Sequence, residues 1–290
     1  MGFEATFWQQ YDPDWKPGEE LPCAGILSGI NEGAVFHAEP VHLKAGMSDL
    51  IMFAPDPALT ADDQQALEKI INDHLAEQPM RFHHDEFGNG YLVLNKDLRF
   101  HTTPPSRVMG GGILEYLPQG ADKLKLQRLS NELQMLLHGA PFNQEREQRG
   151  ALPVNALWLW GNGTSQRALQ ARHDLLISNH PWARACANHI GQTILPRPEP
   201  FDLDRLPDPA QRILITSEGL QGAAQVDDIH TWRQALDTLE QQWLKPLQTA
   251  LQNGQITRLT LLPCNGRAYT LSPRSHWKKW RRNKPLALHA

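Results

Sequence analysis

The run ALWLW at 156–160, followed at once by Gly161-Asn162-Gly163, constrains the fold more than any other stretch. Five consecutive apolar residues leave no polar face for water. The run therefore reads as a strand covered on both sides, as strands of parallel sheets are. Side chains alternate along a strand, so Trp158 and Trp160 share one face. The change to Gly-Asn-Gly marks the strand end and a tight loop that can face a ligand.

Two later runs have the same form, DLLIS at 174–178 and RILIT at 212–216. Each ends in small or polar residues and is followed by helical or polar sequence. This β-α rhythm predicts an α/β architecture, with a mostly parallel sheet and flanking helices in the C-terminal half. The N-terminal half reads as α+β. It offers a hairpin around Gly46, a helix capped by Thr60 with Asp63 three residues on, and a second hairpin turning at Gly88-Asn89-Gly90. An amphipathic helix follows, with Leu126, Leu129, Leu133, Leu136 and Leu137 in register and Gly139 at its end. FNQEREQRGALP at 142–153 reads as a polar connector, which places the main break near Gly150. The expected division is 1–150 as the α+β part, 151–272 as β-α units and 273–290 as a tail. Within the second part, 227–254 predicts a long helix kinked at Pro246, and 256–273 a hairpin turning at Asn265-Gly266.

Composition sets the class. Of 290 residues, 40% are apolar and 21% charged, as in soluble globular proteins, and no apolar run approaches the roughly 20 residues of a membrane helix. The first twenty residues lack a basic region and an apolar core, so no secretory signal is expected. Three scattered cysteines, Cys23, Cys186 and Cys264, form no disulfide framework and lack metal-ligand spacing, which points to a reducing cytoplasm. The last 19 residues carry six Lys or Arg and no acid, which leaves −10 on the body of a chain whose net charge is −4. An acidic body argues against nucleic-acid binding there and singles out the tail.

Chemistry in an open α/β sheet collects beyond the carboxyl ends of its strands. Those ends supply Trp160, Asn162 and Thr164 from the first run, Ser178, Asn179 and His180 from the second, and Ser217 and Glu218 from the third. The same residues serve equally as turns and helix caps; Ser178 or Asn179 before Pro181 makes a good N-cap with a first-turn proline. Ser217 with His180 and Glu218 is the catalytic combination these loops offer. Trp160-Gly161-Asn162-Gly163 is no dinucleotide fingerprint, because the third glycine is absent and Gln166 stands near its place. Metal ligands, for manganese or zinc, can be sought in His173, Asp174, Asp227 and His230, or in His83-His84-Asp85. Acids at 227 and 228 are equally explained as helix caps. Cys186 lies on an apparent helix face, as a buried inert thiol would. The tail interleaves Trp277 and Trp280 with Lys278, Lys279, Arg281 and Arg282. Such a cluster can hold phosphates by charge and bases of a single strand by stacking; it can also dock on the acidic body or remain solvated.

Three stretches, AEPVHLKA, NELQMLLH and PVNALWLWGNG, in this order and spacing, resemble the bacterial RpfE-like, phosphoglycerate-mutase-related proteins, from about Leu21 to Tyr269. The W-L-W-G-x-G run, with Trp158, Trp160, Gly161 and Gly163, is also similar to archaeal-type cofactor-independent phosphoglycerate mutases. The resemblance implies an alkaline-phosphatase-like scaffold and, in its active members, two-metal phosphoryl transfer. This chain departs from that pattern. It contains no Asp-Gly dipeptide, has Thr164 where a basic residue is expected, and shows neither the nucleophilic Ser/Thr in context nor the later Asp/His cluster. The resemblance thus implies a scaffold without the catalytic machinery, and a regulatory or partner-binding role. A DNA-processing exonuclease is the partner class it suggests.

Overall fold

The computed structural model describes residues 2–30, 33–54, 58–95, 100–163, 168–203, 206, 212–217, 220 and 229–274. Two short helices, α1 (Phe3–Trp8) and α2 (Ala24–Ser28), precede a twelve-residue strand, β1 (Ala34–Ala45), around which the larger sheet is built. Its C-terminal end pairs with β2 (Leu50–Phe53), forming the hairpin predicted around Gly46. Helix α3 (Ala61–His74) leads to the second hairpin, β3 (Met80–His84) and β4 (Gly90–Leu94), and β4 pairs with the beginning of β1. Helices α4 (Lys123–His138) and α5 (Pro141–Gln148) follow. Then β5 (Ala156–Trp160), the ALWLW run, returns to pair with the middle of β1, placing Trp160 opposite His37 and Trp158 opposite Glu39.

Every pairing in this five-stranded sheet is antiparallel, β5 included. That corrects the expectation of a mostly parallel sheet. All five residues of ALWLW are buried, as predicted. Burial on both faces shows that a strand lies between two layers, but it carries no information on the direction of its neighbour. The β-α rhythm holds in a smaller sheet, where β6 (Leu175–Ile177) lies between β7 (Thr193–Leu195) and β8 (Ile213–Ile215), all parallel. Helix α6 (Pro181–His189) connects β6 to β7. An antiparallel hairpin, β9 (Leu259–Leu261) and β10 (Tyr269–Leu271), carries Gly266 at positive φ in its turn, as the Asn-Gly pair predicts.

The two faces of the larger sheet have different chemistry. Phe36, Ala38, Leu157 and Leu159 pack on the stripes of α3 (Leu67, Ile71) and α4 (Leu126, Leu129, Leu133, Leu137), an aliphatic core. On the other face Val41, Trp158 and Trp160 meet Phe7 and Trp8 of α1 and Trp182, Ala183 and Cys186 of α6. His37 stacks on Trp160 with ring centroids 4.6 Å apart. The spacing of two tryptophans by one residue is therefore explained by this second, aromatic layer. Such ring pairs contribute about 0.5–1.5 kcal/mol beyond area burial. Cys186 is fully buried, and burial pushes its thiol well above the usual range, as expected of an inert thiol.

Two local expectations need correction, and a third gains detail. The polar connector at 142–153 contains α5, which has proline in its first turn and buries Phe142, Asn143 and Arg146. Arg146 Nη1 reaches Asp63 Oδ2 at 2.6 Å, and Arg149 Nη2 reaches Oδ1 at 2.8 Å. Asp63 also closes the predicted capping box with Thr60, so α5 is anchored to α3 through one carboxylate. Next, α6 is capped by His180, not by the side chain of Ser178 or Asn179; Ser178 Oγ instead accepts from the His180 N–H at 3.0 Å. The helix expected to kink at Pro246 carries a π turn just before the proline. Between α7 (Ile229–Leu239) and α8 (Lys245–Gln252), residues Glu240–Leu244 form a π turn. That wide turn relieves the proline of its clash with the preceding carbonyls and leaves it in the first turn of α8.

Candidate functional site

The W-G-N-G loop leaves β5 on the aromatic face and is gripped from both sides. The carbonyls of Gly161 and Gly163 accept from the N–H groups of Ala24 and Gly25, at the start of α2, at 2.9 and 3.2 Å. The Gly161 N–H donates to Thr102 Oγ1 at 3.0 Å. Thr102 in turn donates its hydroxyl and, at 2.7 Å, its backbone N–H to the Glu20 carboxylate, which also accepts from the Asn162 N–H. Burial pushes Glu20 up to about 7 in spite of these donors. Gly161 has φ +73°, and a Cβ there would lie 2.7 Å from Cys23 Sγ; one on Gly163 would meet Pro22 at the same distance. These glycines serve close backbone approach. Trp160 is 1% exposed and packs in the core; it faces no crevice. Thr164 lies outside the described residues.

Carboxylates collect on the same face. Glu4 is buried and accepts from both the backbone N–H and the hydroxyl of Ser106. Burial raises its pKa, and those hydrogen bonds offset part of the rise. Glu39, on β1, is pushed up to about 7 by burial and by the nearby Glu4. His37 is pulled down to about 3 by burial.

Beyond the carboxyl ends of β6, β7 and β8, where the β-α rhythm predicts a ligand crevice, polar side chains gather. Ser178 Oγ and Thr216 Oγ1 share a buried hydrogen bond of 2.6 Å. Asn179 Oδ1 accepts from the Arg197 N–H at 3.0 Å, and Arg197 Nη1 donates to Ser217 Oγ at 3.0 Å. Ser178, Asn179 and Ser217 are thus brought together, organised by an arginine that sequence reasoning missed. Its signal was present in retrospect: TILPRP places a lone arginine between prolines just after a short apolar run. His180 separates from this group. Its ring packs on Phe3, with centroids 4.6 Å apart, and burial pulls its pKa down to about 4. Ser217 Oγ accepts from a guanidinium, whereas a nucleophilic hydroxyl needs an adjacent base to take its proton. Glu218 lies outside the described residues.

Among the described residues the candidate metal ligands do not converge. His173 and Asp174 precede β6, at the end of the strand away from Ser178 and His180. Asp174 is occupied by Arg212, whose N–H donates to Oδ2 at 2.8 Å. His230 lies on α7, and Asp227 is outside the described residues. Asp85 is consumed by its own turn, accepting from the N–H groups of Phe87 and Asn89 and the hydroxyl of Tyr91. His84 faces Glu68 at 3.4 Å. Among the described residues no three His, Cys, Asp or Glu side chains are grouped as a metal site requires. The basic cluster Trp277, Lys278, Lys279, Trp280, Arg281 and Arg282 also lies outside the described residues. Among those described, no helix is long and apolar enough to cross a membrane.

Comparison with known proteins finds sequence similarity to phosphoglycerate mutases. Over 166 residues the chain is 28% identical to a "Probable 2,3-bisphosphoglycerate-independent phosphoglycerate mutase" of Geobacter sulfurreducens, covering 54% of this chain and 41% of that protein. It is 28% identical over 155 residues to the 2,3-bisphosphoglycerate-independent phosphoglycerate mutase of Methanosarcina mazei, covering 53% of this chain and 39% of that one. The solved cofactor-independent phosphoglycerate mutase of Thermoplasma acidophilum aligns with 81% of this chain and 71% of its own, with a TM-score of 0.38 and 15% identity. No protein-family model matches the chain. The chain is therefore similar to cofactor-independent phosphoglycerate mutases at low identity, and it spans about two fifths of the length of these two curated relatives.

Proposed function

We propose that the chain is a phosphoglycerate-mutase-like protein of the RpfE-like kind, built on the alkaline-phosphatase-like scaffold, that acts by binding a partner instead of by phosphoryl transfer. The observation that carries this reading is the dispersal of the candidate ligands. Two-metal transfer needs carboxylates and imidazoles clustered to clamp the attacking and leaving oxygens. Here His173 and Asp174 sit at one end of β6, and His180 follows the other end with its ring packed on Phe3. The W-G-N-G loop, which resembles the mutase W-G-x-G run, has its carbonyls engaged with the start of α2 and its glycines packed against Pro22 and Cys23. A scaffold can serve a function other than that of its relatives, and the dispersal of the candidate ligands among the described residues supports surface recognition as that function here.

Metal content tests the reading. Untagged protein from cells supplied with manganese and zinc should carry well under one equivalent by elemental mass spectrometry. About two equivalents per chain would overturn it in favour of a metal-dependent phosphotransferase or phosphatase. A single-strand-specific DNA-processing exonuclease is the first partner to test, by sedimentation of the two purified proteins. Binding of single-stranded nucleic acid through the tail is a separate proposal. It predicts a strongly salt-dependent affinity that is lost when residues 273–290 are removed.

A further inference from the structure

We propose that the carboxyl end of the three-stranded parallel sheet is a binding site for a small oxyanion, carboxylate or phosphate, received by the guanidinium of Arg197. The proposal goes beyond partner binding and does not depend on it.

Arg197 follows β7, the strand on one side of β6, and is fixed there by three neighbours. Its backbone N–H donates to Asn179, which follows β6. Its Nη1 donates to Ser217, which follows β8. Its guanidinium lies 5.5 Å from the ring centroid of Trp243, in the π turn between α7 and α8. Residues that follow all three strands of the small sheet thus meet around Arg197, at the sheet end where open α/β sheets hold their ligands. The arginine side chain is only 15% exposed, which is unusual for a cation with no buried carboxylate beside it among the described residues.

Its hydrogen bonding is incomplete. A guanidinium presents Nε and one Nη as a parallel fork that matches both oxygens of a carboxylate or two of a phosphate. Glu199 supplies one oxygen, at 2.5 Å, to Nη2. Nε is buried and has no hydrogen-bond partner among the described residues. Buried donors are rarely left this way. Glu199 is 54% exposed and only two residues along the chain, so its single contact is a solvated, local one. An incoming oxyanion would replace the Glu199 oxygen on Nη2 and also satisfy Nε. The Ser217 hydroxyl, whose oxygen already accepts from Nη1, retains its own proton to donate to the anion. Glu199 then acts as an internal competitor for the site.

The test is isothermal titration calorimetry of the full chain with sodium phosphate and, separately, sodium malonate, at constant ionic strength set with chloride. Saturable binding of one equivalent of either probe is expected, and the tighter probe names the oxyanion class. Glu199→Gln should tighten binding about three- to tenfold by removing the competing charge. Arg197→Lys should weaken it about tenfold or more, because an ammonium keeps the charge but lacks the fork. Circular dichroism verifies that both variants fold. Absence of saturable binding to both wild type and Glu199→Gln would overturn the proposal, as would affinities unchanged by Arg197→Lys. None of these outcomes alters the metal-content result, so the two readings fail separately.

Discussion

The indole Nε1–H of Trp182 donates to Nε2 of His37 at 3.1 Å, with both rings buried. The bond ties α6, from the second half of the chain, to the central strand of the larger sheet. With Nε2 accepting, the imidazole is neutral and carries its proton on Nδ1. Trp182→Phe keeps an aromatic ring but removes the donor and part of the buried volume, leaving a buried acceptor unsatisfied and a small void. We expect it to destabilise the fold by about 1–3 kcal/mol, read as a lower urea midpoint with an unchanged slope. An unchanged midpoint would show that the bond contributes nothing.

The same histidine sets an acid limb. Its folded pKa, about 3, lies below the ordinary 6.5, so the unfolded chain binds the extra proton first. Its contribution to stability is complete above pH 6.5 and declines as pH falls toward 3. His37→Gln should flatten the loss of stability between pH 6.5 and 4.5 in denaturation measured across that range. A slope equal to that of the wild type would contradict the assignment.

Glu39 acts with the opposite sign. Burial, with Glu4 adding to it, raises its folded pKa from an ordinary 4.5 to about 7, so the folded state holds the proton more tightly. That contribution is complete below pH 4.5 and is lost as pH rises through 7. Glu39→Gln, which cannot ionise, should therefore gain stability relative to wild type between pH 5 and pH 8. A difference in melting temperature that stays constant over that interval would refute it.

Gly161→Ala forces a side chain at φ +73° into Cys23 Sγ and should destabilise by about 1–3 kcal/mol. Gly139→Ala is the matched comparison, at negative φ with nothing within 4 Å of the added carbon. It should be neutral or slightly stabilising. Equal effects at both sites would show that the loop is not held as described.

Arg146 is fully buried and pairs with Asp63. Arg146→Met should cost about 1–3 kcal/mol, because it removes a charge-assisted hydrogen bond while Arg149 still holds Asp63 through Oδ1. Adding Asp63→Asn should recover part of that loss, and an additive double mutant would contradict the coupling.

What the sequence revealed was local. The hairpin around Gly46, the Thr60–Asp63 capping box and the leucine stripe of α4 depend on neighbours within a few residues, and each is present. The direction of β5 was hidden because its partner lies more than a hundred residues earlier, and burial on both faces is the same for either direction. Helix α5 was hidden because Arg146 reads as solvated until Asp63, 83 residues away, is brought beside it. The grip on the W-G-N-G loop was equally invisible: Thr102 is 82 residues from Glu20 and 59 from Gly161. Beyond the small sheet the loops were legible from strand ends, but Arg197 was not, since only the β6–β7 pairing places it beside Asn179.

We propose that a mutase-like scaffold here works without mutase chemistry. Phosphorus NMR of 3-phosphoglycerate incubated with the protein and excess manganese, and again with zinc, tests it most directly. We predict a spectrum unchanged from the protein-free control over many hours. Protein-dependent appearance of 2-phosphoglycerate, abolished by chelation of the metal, would contradict the account.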